Sequence, residues 1–215
     1  MAKRPVFYAE NDIVKSTDVE FQWYPGFAVS QKQKSINALH EALLVIRPDV
    51  KPLEISSKGA VPLGAKLSAF NLKLNGYSLE CVFQSSKVFD DTGTPHTEWL
   101  ELSPKEAKGA ARKLHAGGHK LTSFRFNGID FPLEPLTCFY DYIYYLAVKE
   151  TLTDDELKEL TEYDHFTDIE FSPRKSLNTQ ARSVVMIKLI FEQHGHLPEF
   201  SPEEFIDIHR RSICK

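Results

Sequence analysis

The stretch that most constrains the fold is Leu67–Phe89, because its second half combines an apolar helix pattern with three polar residues. The pattern predicts a helix over Ser78–Phe89 that is apolar on most of its faces. Glu80, Gln84 and Lys87 fall on one narrow stripe of that helix, at i, i+4 and i+7. Burying these groups without partners would be costly. The stripe is therefore either a solvated helix face or the polar lining of a pocket.

Composition places the chain among globular proteins and limits its partners. The 215 residues are 42% hydrophobic and 12% aromatic, which is enough apolar material for a sizeable core. The net charge of −4 and the pI of about 6.1 argue against a protein that coats duplex DNA, because such proteins are strongly basic. A local cluster of basic residues is still compatible with this net negative charge.

Cysteine spacing and the lack of transport signals indicate a reducing compartment. Cys81, Cys138 and Cys214 are far apart and form no CxxC pair, which argues against a disulfide scaffold or a cysteine-based zinc site. The N-terminus lacks the apolar core of a signal peptide, and no run reaches the roughly 18 apolar residues of a membrane helix. The sequence also contains no phosphate-binding glycine loop and no zinc-protease motif. We therefore expect a soluble, cytoplasmic protein without a metal or a cofactor.

Turn and capping signals divide the chain into short strands and helices. Asn-Gly pairs predict two hairpin turns, at residues 75–76 and 127–128. Capping-box patterns predict helix starts at Ser30, Ser103 and Thr153.

The remaining pattern predicts the fold class. Val6–Ala9 and Val19–Trp23 are strand candidates parted by a polar segment, and the aromatic run Thr137–Glu150 predicts a core helix. Together the elements predict one helix-rich α+β domain with short β-hairpins. Residues 53–215 are predicted to form this domain, and residues 1–52 are predicted to form an N-terminal extension packed on it.

A basic stretch runs from Lys105 to Arg125. It carries six lysine and arginine residues, Arg112 among them, and Glu106 is its only acid. The stretch is either a solvated helix face or a patch that contacts phosphates.

The central stretch resembles the opening of the NADAR (YbiA-like) family. That family has an L-S-N-F segment, an Asn/Asp-Gly pair and then V-E-H-x-F-Q-x-x-K-F. The matching residues here are Leu67, Ser68, Phe70, Asn75, Gly76, Glu80, Phe83, Gln84, Lys87 and Phe89. Downstream, Ser103–Lys108 is similar to the family's S-P-x-E-A-K helix start, and Asp168 and Asn178 stand at suitable places for its C-terminal motifs. Those motifs depart from the family here, because their Trp-Gly pair and their G-x-N-x-L-G glycines are absent.

Two further segments are similar to one subgroup, the NADAR proteins encoded beside DarT-type DNA ADP-ribosyltransferase toxins. They are VEFQWYPGFAVSQKQKSI and FPLEPLTCFYDYIY, and the likeness covers most of residues 19–191. The resemblance implies a NADAR-like catalytic domain and an antitoxin that hydrolyses the N-glycosidic bond between ADP-ribose and guanine in DNA. The implied partners are ADP-ribosylated DNA, ADP-ribose as the product and the toxin, with no membrane partner.

The resemblance also implies roles for individual residues. Lys87 is predicted as an amine nucleophile or a fixed cation, Glu80 as the general acid/base, and Asp168 as a group that orients water or the ribose diol. Gln84 is predicted to bond the ribose hydroxyls. Phe70, Trp99 and Phe166 are candidates for base stacking, although aromatic side chains in a chain this rich in them are usually core. Ser68, Asn71, Arg112 and Asn178 complete the predicted substrate-binding set.

Two other functions stay open on the sequence. The first is a small-molecule N-glycosidase, since other relatives cleave intermediates of riboflavin biosynthesis. The second is a non-catalytic antitoxin that binds the toxin protein through the acidic stretch Glu150–Glu170.

Overall fold

Helices and strands are interspersed along the described part of the chain. The computed structural model describes residues 1–173 and 176–213. Its helices are α1 (Val29–Ile46), α2 (Pro62–Lys66), α3 (Leu79–Ser85), α4 (Pro104–Ala116), α5 (Cys138–Thr151), α6 (Asp154–Thr161), α7 (Gln180–His194) and α8 (Pro202–Ile213), with a 3-10 helix over Thr97–Glu101. Its strands are β1 (Ala2–Glu10), β2 (Ile13–Phe21), β3 (Pro52–Glu54), β4 (Lys73–Leu74), β5 (Tyr77–Ser78), β6 (Lys87–Phe89), β7 (Leu121–Phe126), β8 (Ile129–Phe131) and β9 (His165–Thr167).

These elements confirm the predicted α+β class, rich in helix and with short hairpins. The chain divides into two compact units. Unit 1 comprises Met1–Ser68, Leu152–Glu199 and the segment from Arg210, and unit 2 comprises Ala69–Thr151 and Phe200–His209. Within the described ranges, no helix has both the length and the apolar character that a membrane crossing needs.

Unit 1 is built on a four-stranded sheet in the order β2-β1-β9-β3. Strands β1 and β2 form a long antiparallel hairpin, whose turn residues Asn11 and Asp12 have φ values of 53° and 60°. The two strands predicted near Val6 and Val19 are therefore longer than expected and pair directly. Strand β9 lies between β1, to which it is antiparallel, and β3, to which it is parallel.

Helix α1 covers this sheet with an apolar face. A core cluster joins the two elements through Val6, Val19, Phe21, Ile36, Leu39, Leu43 and Ile169. The predicted capping box at Ser30 is wrong, because α1 already begins at Val29 and its N-cap, Ala28, makes no side-chain cap bond. The helix ends at Ile46, and its C-cap Arg47 leaves the helical conformation just before Pro48, as the restriction on residues that precede proline predicts.

Unit 2 confirms most of the local predictions. Both Asn-Gly turns form hairpins, β4–β5 and β7–β8, with Asn75 and Asn127 at positive φ. The capping box at Ser103 is present, and in unit 1 the one at Thr153 is present too. Helix α5 is core, since its Phe139 ring packs on four other phenylalanine rings.

The helix predicted over Ser78–Phe89 is too long. Helix α3 ends at Ser85, and the following residues form β6, which pairs with β7. The hydroxyls of Ser85 and Ser86 both donate to the carbonyl of Val82, at 3.0 and 2.8 Å. Such local bonds compete with a continued helix, and the pairing with a strand more than thirty residues away is invisible to periodicity.

Candidate active site

Helix α3 places Glu80 and Gln84 side by side in the interior of unit 2. Ser78 caps the helix by accepting from the backbone N–H of Cys81 at 3.2 Å, and all seven helical residues are buried. Because Glu80 and Gln84 are four residues apart, they share one face of the helix. Gln84 Nε2 donates to Glu80 Oε1 at 2.9 Å.

Lys87 reaches the same face from strand β6. Its Nζ donates to Gln84 Oε1 at 2.7 Å and lies 4.9 Å from the centre of the Phe83 ring. Gln84 therefore bridges the amine and the carboxylate, with one end of its amide on each. The i, i+4, i+7 stripe predicted these three neighbours correctly, although Lys87 arrives from a strand instead of from the helix.

The environment makes Lys87 an unusually weak base. Burial is the main cause that lowers the pKa of Lys87 to about 8; Glu80 opposes it, and the charges of Lys108 and Arg112 act in the same direction as burial. A fraction of the amine is therefore neutral near physiological pH and able to act as a nucleophile.

Lys108 is a site residue that the sequence predictions assigned only to the basic stretch. Helix α4, held at its start by the Ser103–Glu106 capping box, brings Lys108 Nζ to 3.4 Å from Glu80 Oε1. The glutamate oxygen thus faces both the Gln84 amide and an ammonium group. The available signal was that Lys108 closes the Ser103–Lys108 segment matched to the family.

A second set of buried polar residues lies in unit 1, around the end of β9. The Glu54 carboxylate accepts from Thr167 Oγ1 at 2.6 Å and from the backbone N–H of Ile169 at 2.8 Å. These two donors are the residues on either side of Asp168, so Glu54 fixes the backbone that carries Asp168. His40 Nε2 lies 2.8 Å from the Thr167 hydroxyl, whose proton goes to Glu54, so His40 is the donor of that bond.

Asp168 itself is a buried carboxyl group with a strongly perturbed pKa. Its Oδ1 accepts from the backbone N–H groups of Glu170 and Phe171, each at 3.1 Å. Burial raises the pKa of Asp168 to about 8, and the nearby Glu54 acts in the same direction against those two hydrogen bonds. Sequence reasoning missed Glu54, whose only signal was an acid between the apolar residues Leu53 and Ile55.

The other predicted residues of unit 2 differ in exposure. Phe70 is 49% exposed, and Asn71 and Arg112 are exposed as well. Trp99 is only 7% exposed and stacks on His96 with ring centres 4.1 Å apart. One face of Trp99 is therefore already covered, which leaves Phe70 as the accessible ring.

The other predicted residues of unit 1 lie in or beside its core. Phe166 has no exposed surface in β9, so its ring is core and not a stacking platform in this structure. Ser68 is buried, and the half-buried Asn178 accepts from the Ser176 hydroxyl through its carbonyl at 3.1 Å. Across residues 1–173 and 176–213, no group of three or more His, Cys, Asp or Glu side chains is placed to hold a metal ion.

The helix-rich α+β fold and the buried Lys87–Gln84–Glu80 chain agree with the NADAR resemblance of the central stretch. The model of one family, NADAR-DarT1, described as the DarT1-associated NADAR antitoxin, matches residues 2–215. The chain therefore belongs to the family of DarT1-associated NADAR antitoxins. No curated protein matches it.

Proposed function

We propose that this antitoxin is an N-glycosidic-bond hydrolase that removes ADP-ribose from guanine bases in DNA. The observation that carries the proposal is the hydrogen-bonded chain from Lys87 through Gln84 to Glu80. It brings a carboxylate and a partly neutral amine together among buried residues. This pairing is suited to cleaving a bond between a sugar and an amine. The family's association with a DarT1 toxin supports DNA as the carrier of the modification.

The proposed reaction uses Lys87 and Glu80 in sequence. The bond between the anomeric carbon and the exocyclic guanine nitrogen breaks, its electron pair leaves with guanine, and the Glu80 carboxylate passes to that nitrogen a proton that it takes from the attacking Lys87 amine. The neutral Lys87 amine forms a bond to the same carbon and, as the ribose ring opens, gives a Schiff base. Water then adds to that carbon and releases both Lys87 and ADP-ribose. The part predicted for Asp168 from the sequence, the orientation of water or the ribose diol, stays a prediction.

The exposed face of α4 supports a nucleic-acid substrate. Lys105, Lys108, Arg112 and Lys113 follow one another at helical spacing along it, and Lys108 also contacts Glu80. A positive stripe that borders the proposed reaction centre suits phosphates of a DNA strand on a protein whose net charge is −4. We expect turnover on DNA to fall steeply with salt, because phosphate contacts release counterions. A weak salt dependence would instead favour a small-molecule N-glycosidase.

The test is a single-turnover assay on an oligonucleotide with one ADP-ribosylated guanine. We expect Lys87→Ala and Glu80→Gln each to lose roughly 10²–10⁴-fold in rate, the usual contribution of a positioned acid or base. Lys73→Ala is the matched control, since Lys73 is an exposed lysine of the same unit outside this site. Wild-type rates in Lys87→Ala and Glu80→Gln would refute the proposal.

Two further measurements separate the roles and the alternatives. Borohydride should trap a sugar adduct on Lys87 if the Schiff base forms, and no adduct would leave Lys87 as a fixed cation. Rescue of toxin-expressing cells by Lys87→Ala would favour a non-catalytic antitoxin that binds the toxin protein.

A further inference from the structure

A cavity of about 260 Å³ lies within unit 2, apart from the Lys87 chain. Neither Lys87, Gln84, Glu80 nor Lys108 lines it. Its walls are mainly apolar and come from Leu74, Val82, Pro95, Leu100 and Phe126.

The cavity and the Lys87 chain are built from neighbouring residues of the same segments. Lys87 pairs with Phe124 in the β6–β7 ladder, while the neighbouring residues Ser86 and Arg125 line the cavity. The cavity therefore adjoins the strand pair that presents Lys87.

The charged residue of the cavity wall, Arg125, is neutralised by a partner, and the Tyr77 hydroxyl is also bonded. The Arg125 guanidinium makes two bonds to the Asp130 carboxylate, at 2.6 and 3.2 Å. The Tyr77 hydroxyl donates to Glu101 at 3.1 Å. A cavity built in this way suits a neutral ring better than a phosphate group, because burying a charge without a partner is costly.

The volume fits a bicyclic ring. An engineered apolar cavity of about 150 Å³ holds benzene, with its six heavy atoms, so 260 Å³ corresponds in proportion to about ten heavy atoms. A purine base has nine ring atoms and one or two substituents. A pyrimidine would leave part of the cavity empty and would lose contacts along the unfilled wall.

The polar residues that line the cavity suit a heterocycle that carries N–H groups. Ser85 and Ser86 each spend their hydroxyl proton on the Val82 carbonyl, so their oxygens are left as acceptors. Asn75 and Asn127 stand in the two hairpin turns that border the cavity, and their amides offer both donors and acceptors. Apolar walls for the faces of a ring, together with polar groups that can donate and accept, are the features of a base-binding site.

We infer that this cavity binds a purine ring. Two sources share that chemistry, the adenine end of ADP-ribose and a purine base of the DNA strand. The choice between these two sources rests on the proposed function, whereas the inference that the cavity binds a purine rests on its volume and lining.

The experiment blocks the cavity from its rim. Thr97 is exposed and lines the cavity, so Thr97→Trp should fill the entrance without disturbing the core. Thr94→Trp is the matched control, because Thr94 is equally exposed but lies outside the lining. Both changes are made in Lys87→Ala protein, so that binding is measured without turnover and is independent of the proposed reaction.

Titrations with adenosine, guanosine and cytidine give the first readout. We expect the purine nucleosides to bind at least tenfold more tightly than cytidine, and Thr97→Trp to weaken that binding at least tenfold relative to Thr94→Trp. Asn127→Asp is the second variant, because Asp also tolerates positive φ and keeps the turn while it removes the amide donors. Equal binding of purines and cytidine, or equal binding by the two tryptophan variants, would overturn the inference.

ADP-ribose and an unmodified trinucleotide with a central purine then identify the source. Loss of ADP-ribose binding alone in Thr97→Trp assigns the cavity to adenine, and loss of trinucleotide binding alone assigns it to a DNA base. If Thr97→Trp affects neither, the inference fails even if hydrolysis by the wild-type protein stands.

Discussion

Lys87 Nζ and Gln84 Oε1 are joined by a hydrogen bond of 2.7 Å, and the other end of the same amide is held by Glu80. The amide of Gln84 is therefore fixed in orientation, with its oxygen toward the amine. An amide oxygen accepts equally from an ammonium group and from a neutral amine. Gln84 can thus hold Lys87 in place without fixing its charge, which burial and neighbouring cations determine instead.

The first prediction concerns the pH dependence of single-turnover cleavage. The lowered pKa of Lys87, about 8, means that the neutral amine becomes more abundant as the pH rises through that value. We expect the rate to rise on a limb centred near pH 8 if Lys87 is the nucleophile. A rate that falls through the same pH range would show that the charged form is needed, which is the fixed-cation role.

The second prediction tests how Lys108 tunes that limb. Lys108 lowers the pKa of Lys87, so its neutralisation in Lys108→Gln should raise that pKa and move the limb to higher pH. The pH profile of the cleavage rate is the measurement. Lys105→Gln, an exposed change on the same helix, should leave the limb where it is even if DNA binding weakens. An unmoved limb in Lys108→Gln would contradict this account.

The third prediction concerns the close approach of α2 to β3. A Cβ at Gly64 would lie 2.1 Å from the carbonyl oxygen of Glu54 and 3.1 Å from Leu53 Cδ1. We expect Gly64→Ala to lower the free energy of unfolding by about 1–3 kcal/mol, the usual cost of overpacking. Gly109→Ala in α4 meets no atom within 4 Å and should stabilise by about 0.5–1 kcal/mol. Urea unfolding of both variants compares them, and equal midpoints would refute the steric argument.

The fourth prediction uses the raised pKa of Asp168. The folded protein keeps this proton up to a pKa of about 8, whereas the ordinary value is 3.8. Between these values the folded state binds more protons than the unfolded chain, so this group makes stability fall as the pH rises. We expect Asp168→Asn to flatten the decline in the free energy of unfolding between about pH 4 and pH 8.

Denaturant titrations across that range give the slope. Asp155→Asn is the control, since the Asp155 side chain is 95% exposed and should leave the slope unchanged. If Asp168→Asn shows the wild-type slope, the carboxyl group is not protonated in the folded protein.

Much of this fold depends only on neighbouring residues and could be predicted from the sequence. Most of the rest depends on which distant segment pairs with a given one, and that could not be predicted. The Asn-Gly turns and the capping boxes at Ser103 and Thr153 depend only on neighbouring residues, so the sequence predicted them correctly. The end of α3 depends on a strand that pairs with β6 from far along the chain, and the predicted helix was too long for that reason.

The candidate site also contains local contacts, which were predicted, and contacts between distant segments, which were not. Periodicity brought Glu80, Gln84 and Lys87 together, because neighbours on one short segment are local. Lys108 and Glu54 were missed, since each reaches its partner across the fold. The occupied amide of Gln84 was also missed, and its predicted bonds to the ribose hydroxyls stay a prediction.

The central place of β9 in its sheet has a consequence for shortened forms of this antitoxin. A chain starting at residue 53 would lack β1, which pairs with β9 through Phe7 and Tyr8. One side of β9 would then present unpaired backbone N–H and C=O groups, which would favour self-association through strand pairing. The loop that bears Asp168 follows that strand directly, so trimming the first fifty residues would loosen a carboxyl group far from the cut in sequence.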